Sequence, residues 1–129
     1  VDLYVDPTVR PFEVNETWDQ VGTQGAAWGV ITPLQAGEAL TLTIGDAYYK
    51  AAYSRLSWPL AVGTSIYAQV DSAGGSTFGG VQEDHETIGW GYNNILSTKV
   101  TAATTAYYAD LRVYRIWDLD DDQGLPGRR

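Results

Sequence analysis

The single histidine of the chain, His85, lies in the acidic segment "VQEDHET" (81–87). Carboxylates at Glu83, Asp84 and Glu86 could join its imidazole around a cation. A transition-metal site usually adds a second histidine or a cysteine, and the sequence contains neither. We therefore expect a solvated acidic loop here rather than a metal centre.

Hydrolytic chemistry also has candidate side chains. Serines and aspartates are numerous, but no serine has the Gly-x-Ser-x-Gly context that exposes a nucleophile. Paired carboxylates could cleave a glycosidic bond, yet nothing in the sequence places two of them on facing strands. Gly-rich phosphate-binding motifs in a strand–helix setting are absent as well. We expect no enzymatic activity.

An aspartate-rich segment, "DLDDDQGLPGRR" (118–129), resembles a calcium loop in part. Asp118, Asp120 and Asp122 have the 1, 3, 5 spacing of such a loop. Gln123 stands where the usual glycine would be, and the twelfth position is arginine rather than glutamate. We predict no cofactor, with weak Ca²⁺ binding by these aspartates as the alternative.

Some residues could carry glycans, and others could bind them. Asn15-Glu16-Thr17 is a sequon for N-glycosylation at Asn15, and the Ser/Thr-rich stretch 97–106 could accept O-glycans. Indole rings can also stack on sugars, and the candidates are Trp18, Trp28, Trp58, Trp90 and Trp117. In a small β-domain most tryptophans cover the ends of the core, and we expect that role for most of these.

Composition restricts the class of protein. The 129 residues suffice for one domain with a modest core. Sixteen acidic and eight basic residues give a net charge of −8, which argues against nucleic acid as a partner. No apolar run is long enough to insert into a membrane. The lack of cysteine excludes a disulfide scaffold, and the lack of methionine predicts that the chain is a processed or excised piece.

Strands must position these side chains. Apolar and polar residues alternate with a period of two, and no segment sustains a helical period of 3.6. Strands are predicted at 1–5, 28–32, 40–44, 66–70, within 93–108 and at 109–117. Residues 7–27 are predicted to form a long connection that could contain one short strand, and a turn is predicted at Ala36-Gly37. The segment 47–58 could form one or two helical turns. The pattern predicts an all-β antiparallel sandwich of about 6–8 strands over 1–117, followed by an acidic, flexible tail at 118–129.

The segment 66–95 carries the series "IYAQVDS", "VQEDHE" and "GYNNI". This series resembles the closing half of CARDB modules, the cell-adhesion-related domains of bacteria. Upstream, "LQAGEALTLTI" (34–44) is similar to the family's Leu-x-x-Gly-Glu element, and "VDLYVDP" (1–7) to its mid-domain strand. The resemblance covers about residues 1–96.

The resemblance implies an immunoglobulin-like sandwich in an extracellular, cell-surface protein without catalytic activity. It also implies structural turn roles for the acidic and Asn-Asn positions of the motif. These are Asp71, Glu83, Glu86, Asn93 and Asn94. Short Asx side chains at strand ends commonly bond nearby backbone amides, which agrees with such a role.

The order of the strands departs from the family. Its members begin with two strands ahead of the counterpart of Val1, and the first is similar to Ala-Asp-Leu-x-Val-x-x-Ile. In this chain the pattern occurs instead as "ADLRVYRI" (109–116). The chain could be a fragment in which 109–117 opens a following domain, the late strand could fold back within the chain, or it could insert into a neighbouring copy. The last arrangement would build a polymer by strand donation.

We favour a self-associating structural subunit of a surface or filament protein, with copies of itself or adjacent domains as partners. The sandwich would be completed by a strand from a neighbouring chain, with 107–117 as the exchanged segment. The residues predicted to take part are Val1, Leu3, Val5, Tyr107, Ala109, Leu111 and Val113. A carbohydrate-binding or adhesive module of a larger surface protein is the alternative.

Overall fold

The computed structural model describes residues 1–74, 79–83, 92–101 and the strand at 111–114. The elements are β1 (Asp2–Val5), α1 (Trp18–Val21), β2 (Gln24–Ala27), β3 (Ala39–Leu42), a 3₁₀ turn (Ala51–Tyr53), β4 (Ser65–Gln69), β5 (Ile95–Lys99) and β6 (Leu111–Tyr114). The regular secondary structure of these residues is mostly strand, with almost no helix, and the all-β prediction is confirmed to that extent.

Four strands form an antiparallel sheet in the order β2-β1-β4-β5. Leu3 at the centre of β1 lies opposite Ala26 of β2 and Ala68 of β4. Since successive residues of a strand face opposite sides, Leu3 and Tyr4 belong to different faces of the sheet. The predicted strand at the start of the sequence is therefore an interior strand, paired on both edges.

The outer edge of β2 is covered by the segment 48–55. Gly25 and Arg55 exchange two backbone hydrogen bonds of 2.8 Å. The amide of Ala27 donates to Ser54 Oγ at 3.0 Å, and its carbonyl accepts from the Lys50 amide at 2.9 Å. The main-chain groups on this side of the sheet are thus satisfied within the chain.

The apolar core lies on the Leu3 face of the sheet. Leu42 of β3 is fully buried and packs with Ala26 and Trp28, while Thr41 beside it is exposed. Burial of a leucine of this kind contributes roughly 1.5–3 kcal/mol. β3 pairs with β6 in a separate antiparallel two-stranded sheet. The period-two alternation predicted at 40–44 therefore does set one face of β3 against the core.

Two local predictions differ from the structure. The strand predicted at 28–32 is wrong, because the strand is Gln24–Ala27 and Ile31 is 90% exposed. The small residues of β2 have low strand propensity, but its position is set by pairing with β1 rather than by propensity. The long connection predicted at 7–27 contains β2, in agreement with the one short strand that the sequence allows there, but it also contains α1, which was not predicted. At the start of α1, Gln20 Oε1 accepts from the Thr17 amide at 2.9 Å.

Candidate functional site

The β3–β6 pair is the candidate site of self-association. Its register sets Leu111 opposite Leu42 and Val113 opposite Leu40. Residues directly opposite one another share a face of a sheet, so Leu111 and Val113 occupy positions on the face that Leu42 turns towards the core. The alternation in "LRVY" is thus in phase with the alternation in β3.

β6 has few ties to the rest of the described chain. Among the described elements it contacts β3 and no other. The sequence segment 102–110 separates it from the preceding described residues. β6 is not part of the four-stranded sheet, so the pairing of β2, β1, β4 and β5 does not involve it.

The residues predicted near the start of the chain lie elsewhere. Leu3 and Val5 belong to β1, and Val1 exchanges hydrogen bonds of 2.9 Å with Trp28 beside β2. Because β1 is paired with both β2 and β4, a foreign strand could lie beside it only if one of these strands left. Tyr107 and Ala109 are outside the described residues.

Asp71 fastens a loop to the end of β4. Its carboxylate accepts the amides of Gly80 at 2.7 Å and Val81 at 2.9 Å. A Cβ on Gly79 would lie 2.7 Å from Asp71 Oδ2, and the φ of Gly79 is +80°. Position 79 therefore requires glycine, and the contact closes residues 79–81 onto β4.

Asn94 links the same region to β5. Its side chain is buried, and Nδ2 donates to Glu83 Oε2 at 2.8 Å. Its carbonyl accepts the amide of Val70 at 2.9 Å, which continues the β4–β5 ladder. Asn93 is exposed, and Glu86 lies outside the described residues.

A buried polar cluster, formed by Asp2, Tyr4 and Gln69 with their partners, lies on the opposite face of the sheet from Leu42. Asp2 Oδ2 accepts from the Trp18 amide at 2.8 Å, and Oδ1 accepts from Ser72 Oγ at 2.7 Å. Alternation in 1–6 predicts that Asp2 and Tyr4 share a face. It carries no signal for the segment that covers that face, so the sequence did not predict the cluster.

Tyr4 and Gln69 join the cluster to the loop that covers it. The Tyr4 hydroxyl lies 2.7 Å from Gln69 Oε1 and 2.9 Å from the Glu16 carbonyl oxygen, and can donate its proton to either. Gln69 Nε2 donates to the Glu13 carbonyl at 2.7 Å and to the Tyr92 hydroxyl at 2.8 Å. Burial, followed by the nearby charge of Asp2, raises the pKa of the Tyr4 hydroxyl, which keeps it a hydrogen-bond donor. These hydrogen bonds fasten the loop before α1 to the four-stranded sheet.

Two of the five candidate tryptophans are interior residues. Trp18 and Trp28 are 7% and 4% exposed, and their Nε1 atoms donate to the carbonyls of Tyr53 at 2.8 Å and Thr43 at 3.0 Å. Neither ring can stack on a sugar without unfolding. Trp58 is half-buried, and the other two tryptophans lie outside the described residues.

Comparison of the chain with protein-family models, curated proteins and solved structures finds no match. In the described ranges no helix is long and apolar enough to cross a membrane. The same residues contain no group of three or more His, Cys, Asp or Glu side chains that could hold a metal ion. His85 and the aspartates at 118, 120 and 122 lie outside them.

The predicted glycosylation site is on the surface. Asn15 is exposed in a turn and has a φ of +62°. The hydroxyl of Thr17, the third sequon residue, donates to Asp19 Oδ1 at 2.6 Å. A glycan on Asn15 would therefore project from the loop that covers the buried polar cluster.

Glu16 makes the stability of this loop sensitive to pH. It is 9% exposed, and burial raises the pKa of its carboxyl despite the hydrogen bond from the Phe12 amide. A pKa raised by folding gives stability that is complete below the unfolded value of about 4.3 and is lost as the pH rises through the folded value. We expect Glu16→Gln to unfold at a higher temperature than the parent at pH 7, because the neutral amide retains an acceptor for Phe12.

The measurement is thermal unfolding followed by circular dichroism between pH 4 and pH 8. The advantage of Glu16→Gln should shrink as the pH falls. Glu38→Gln, at an exposed position, reports the effect of removing one charge from the acidic chain. A constant difference between Glu16→Gln and the parent across the whole range would contradict this account.

Proposed function

We propose that the chain is a non-enzymatic structural module of an extracellular surface or filament protein, which associates with copies of itself by strand complementation. β6 is the donated strand, and β3 of the neighbouring copy receives it. The observation that carries the proposal is the register of the β3–β6 pair, with Leu111 opposite Leu42 and Val113 opposite Leu40.

In the closed chain, β6 pairs with β3 of the same chain. Exchange of β6 between copies conserves these contacts. The same register would form between two copies, so the free-energy difference is dominated by the entropy of association and by strain in the connection. Without β6, the edge of β3 would expose unpaired amides beside the buried Leu42. These costs favour occupation of the β3 edge, by the chain's own β6 or by that of a neighbour.

The immunoglobulin-like sandwich is part of the same proposal. Leu42 of β3 packs with Ala26 and Trp28, which supports two sheets facing each other across one core. The extracellular setting depends on the resemblance of 66–95 to CARDB modules. The carbohydrate-binding alternative has less support, since Trp18 and Trp28 are interior residues.

A pair of cysteines across the β3–β6 register tests the exchange. Thr41 lies opposite Arg112, Thr41 is exposed, and the chain has no cysteine of its own. Directly opposed Cα atoms of antiparallel strands are about 4.5–5.5 Å apart, within the range of a disulfide. We expect oxidised Thr41→Cys/Arg112→Cys protein, assembled at high concentration, to give a ladder of covalently linked copies on a non-reducing gel.

The single variants Thr41→Cys and Arg112→Cys are controls, because one cysteine can link at most two chains. A second pair in the same register, Ala39→Cys/Tyr114→Cys, should give the same ladder. Intramolecular disulfides alone at every concentration would show that β6 stays with its own β3, and would refute the exchange.

A further inference from the structure

The hydrogen bonds between β4 and β5 show which main-chain groups of β5 point away from β4, along its outer edge. The Val70 amide donates to the Asn94 carbonyl at 2.9 Å, and the Val100 amide donates to the Thr64 carbonyl at 3.0 Å. Bonded and non-bonded pairs alternate along an antiparallel ladder. Positions 96 and 98 therefore bond to β4, whereas the main-chain groups at 95, 97 and 99 are directed away from it.

In the part of the chain that the structure describes, no strand lies beside this edge. β5 is the last strand of the four-stranded sheet, residues 96–99 are exposed, and Leu96 is 74% exposed. The opposite edge, at β2, is covered by hydrogen bonds with Ser54, Arg55 and Lys50. Within the described residues, the fold satisfies one edge of this sheet and leaves the other free for β-strand addition.

Charge around β5 indicates what would occupy the edge. Residues 92–101 contain no acidic residue, although the chain has 16, so two copies can approach here with little repulsion. Lys99 lies at one end of the strand, and Asn94 holds the carboxylate of Glu83 at the other. Antiparallel pairing of two copies brings each Lys99 to the end of the sheet at which the other copy carries Glu83. Parallel pairing would place the two lysines side by side.

We propose that the outer edge of β5 pairs antiparallel with the same edge of a second copy, about a two-fold axis at Ser97. The two Ser97 residues would exchange hydrogen bonds, Leu96 would lie opposite Thr98 of the second copy, and Ile95 would lie opposite its Lys99. The pairing covers the exposed Leu96 on one face and sets the aliphatic stem of Lys99 against Ile95 on the other. It involves neither β3 nor β6, and so it is independent of strand exchange.

Ser97→Pro tests the pairing, because proline removes only the amide that points outward and is tolerated on edge strands. The full chain carrying Thr41→Cys/Arg112→Cys is refolded and oxidised at high dilution, which ties β6 to its own β3. Sedimentation equilibrium of this closed protein should show a concentration-dependent dimer. We expect Ser97→Pro to raise the dissociation constant about tenfold or more, and Ser97→Ala to change it by about twofold or less.

Hydrogen exchange of the unsubstituted β5 gives a second readout that does not depend on the folding of a proline variant. The amides of Ile95, Ser97 and Lys99 should gain protection as the concentration rises, whereas those of Leu96 and Thr98 should be protected at every concentration. A closed protein that stays monomeric up to millimolar concentration would overturn the proposal, as would a dimer whose formation leaves the Ser97 amide unprotected. Either result leaves the strand-exchange test on β3 and β6 unaffected.

Discussion

Gly25→Ala is expected to lower the free energy of unfolding by about 3 kcal/mol or more. A Cβ at this position would lie 2.3 Å from Cγ of Trp18 and 2.5 Å from the carbonyl oxygen of Leu3. Contacts this short force the indole or the strand to move. The indole is buried and its Nε1 is bonded to the Tyr53 carbonyl, so neither movement is cheap.

The strand around Gly25 is also constrained on both sides. Gly25 lies opposite Tyr4 of β1, and on its other edge it exchanges two hydrogen bonds with Arg55. A shift of β2 that relieved the clash would lengthen bonds in both ladders. For this reason we expect that β2 cannot shift enough to relieve the clash, and that the clash lowers the stability of the fold.

Gly29→Ala is the matched control for this substitution. A Cβ there would meet Lys50 Cε at 2.6 Å, but that atom is near the end of a flexible, exposed side chain. We expect a change of about 1 kcal/mol or less, measured by urea denaturation in parallel with Gly25→Ala. Equal losses for the two variants would show that the Trp18 contact is not what requires glycine at position 25.

Some elements could be predicted from the sequence because their signal is local. Leu40, Leu42 and Ile44 alternate with threonines, and the strand is found there. The turn expected at Ala36-Gly37 is present, with a φ of +81° at the glycine. Patterns of this kind depend only on the period of two and on turn chemistry, which neighbouring residues determine.

The remainder depends on contacts between distant residues. β2 reads Gln-Gly-Ala-Ala, which has none of the β-branched or aromatic residues typical of strands, and is a strand because it pairs with β1 and lies under Trp18. The strand at 111–114 follows from its own alternation, but its partner β3 lies about 70 residues earlier in the chain. Pairing at that separation produces no pattern in the neighbouring residues. The sequence could therefore predict that 111–114 is a strand, but not that it pairs with β3 or in which register.

Sequence alternation also could not distinguish a solvated face from a covered one. Asp2 and Tyr4 have the spacing of an outward-facing pair, yet they are 6% and 0% exposed. α1 and the loop before it cover them, and the polar groups they present to Asp2 and Tyr4 are main-chain amides and carbonyls, which every sequence carries. This is why a carboxylate at position 2 carried no signal of its structural role.

That role predicts a second large effect. Asp2→Ala is expected to lower the free energy of unfolding by about 3 kcal/mol, because the Trp18 amide and the Ser72 hydroxyl each lose a buried acceptor. Asp2→Asn is the matched control. Its carbonyl oxygen can accept the Trp18 amide, and its Nδ2 can donate to the Ser72 oxygen, so we expect a loss of about 1 kcal/mol or less in urea denaturation. Equal losses would mean that the negative charge, rather than hydrogen-bond acceptance, stabilises the fold.

Asp2 and Gly25 act on the same residue from two directions. Asp2 holds the backbone of Trp18 at the first turn of α1, and Gly25 makes room for its indole. After either substitution Trp18 has already shifted. The second substitution then lowers the free energy of unfolding by less than it does alone. We therefore expect Asp2→Ala/Gly25→Ala to lose less stability than the two single losses added together. Strict additivity in the double-mutant cycle would show that the two contacts stabilise separate parts of the fold, and that Trp18 does not couple loop to sheet.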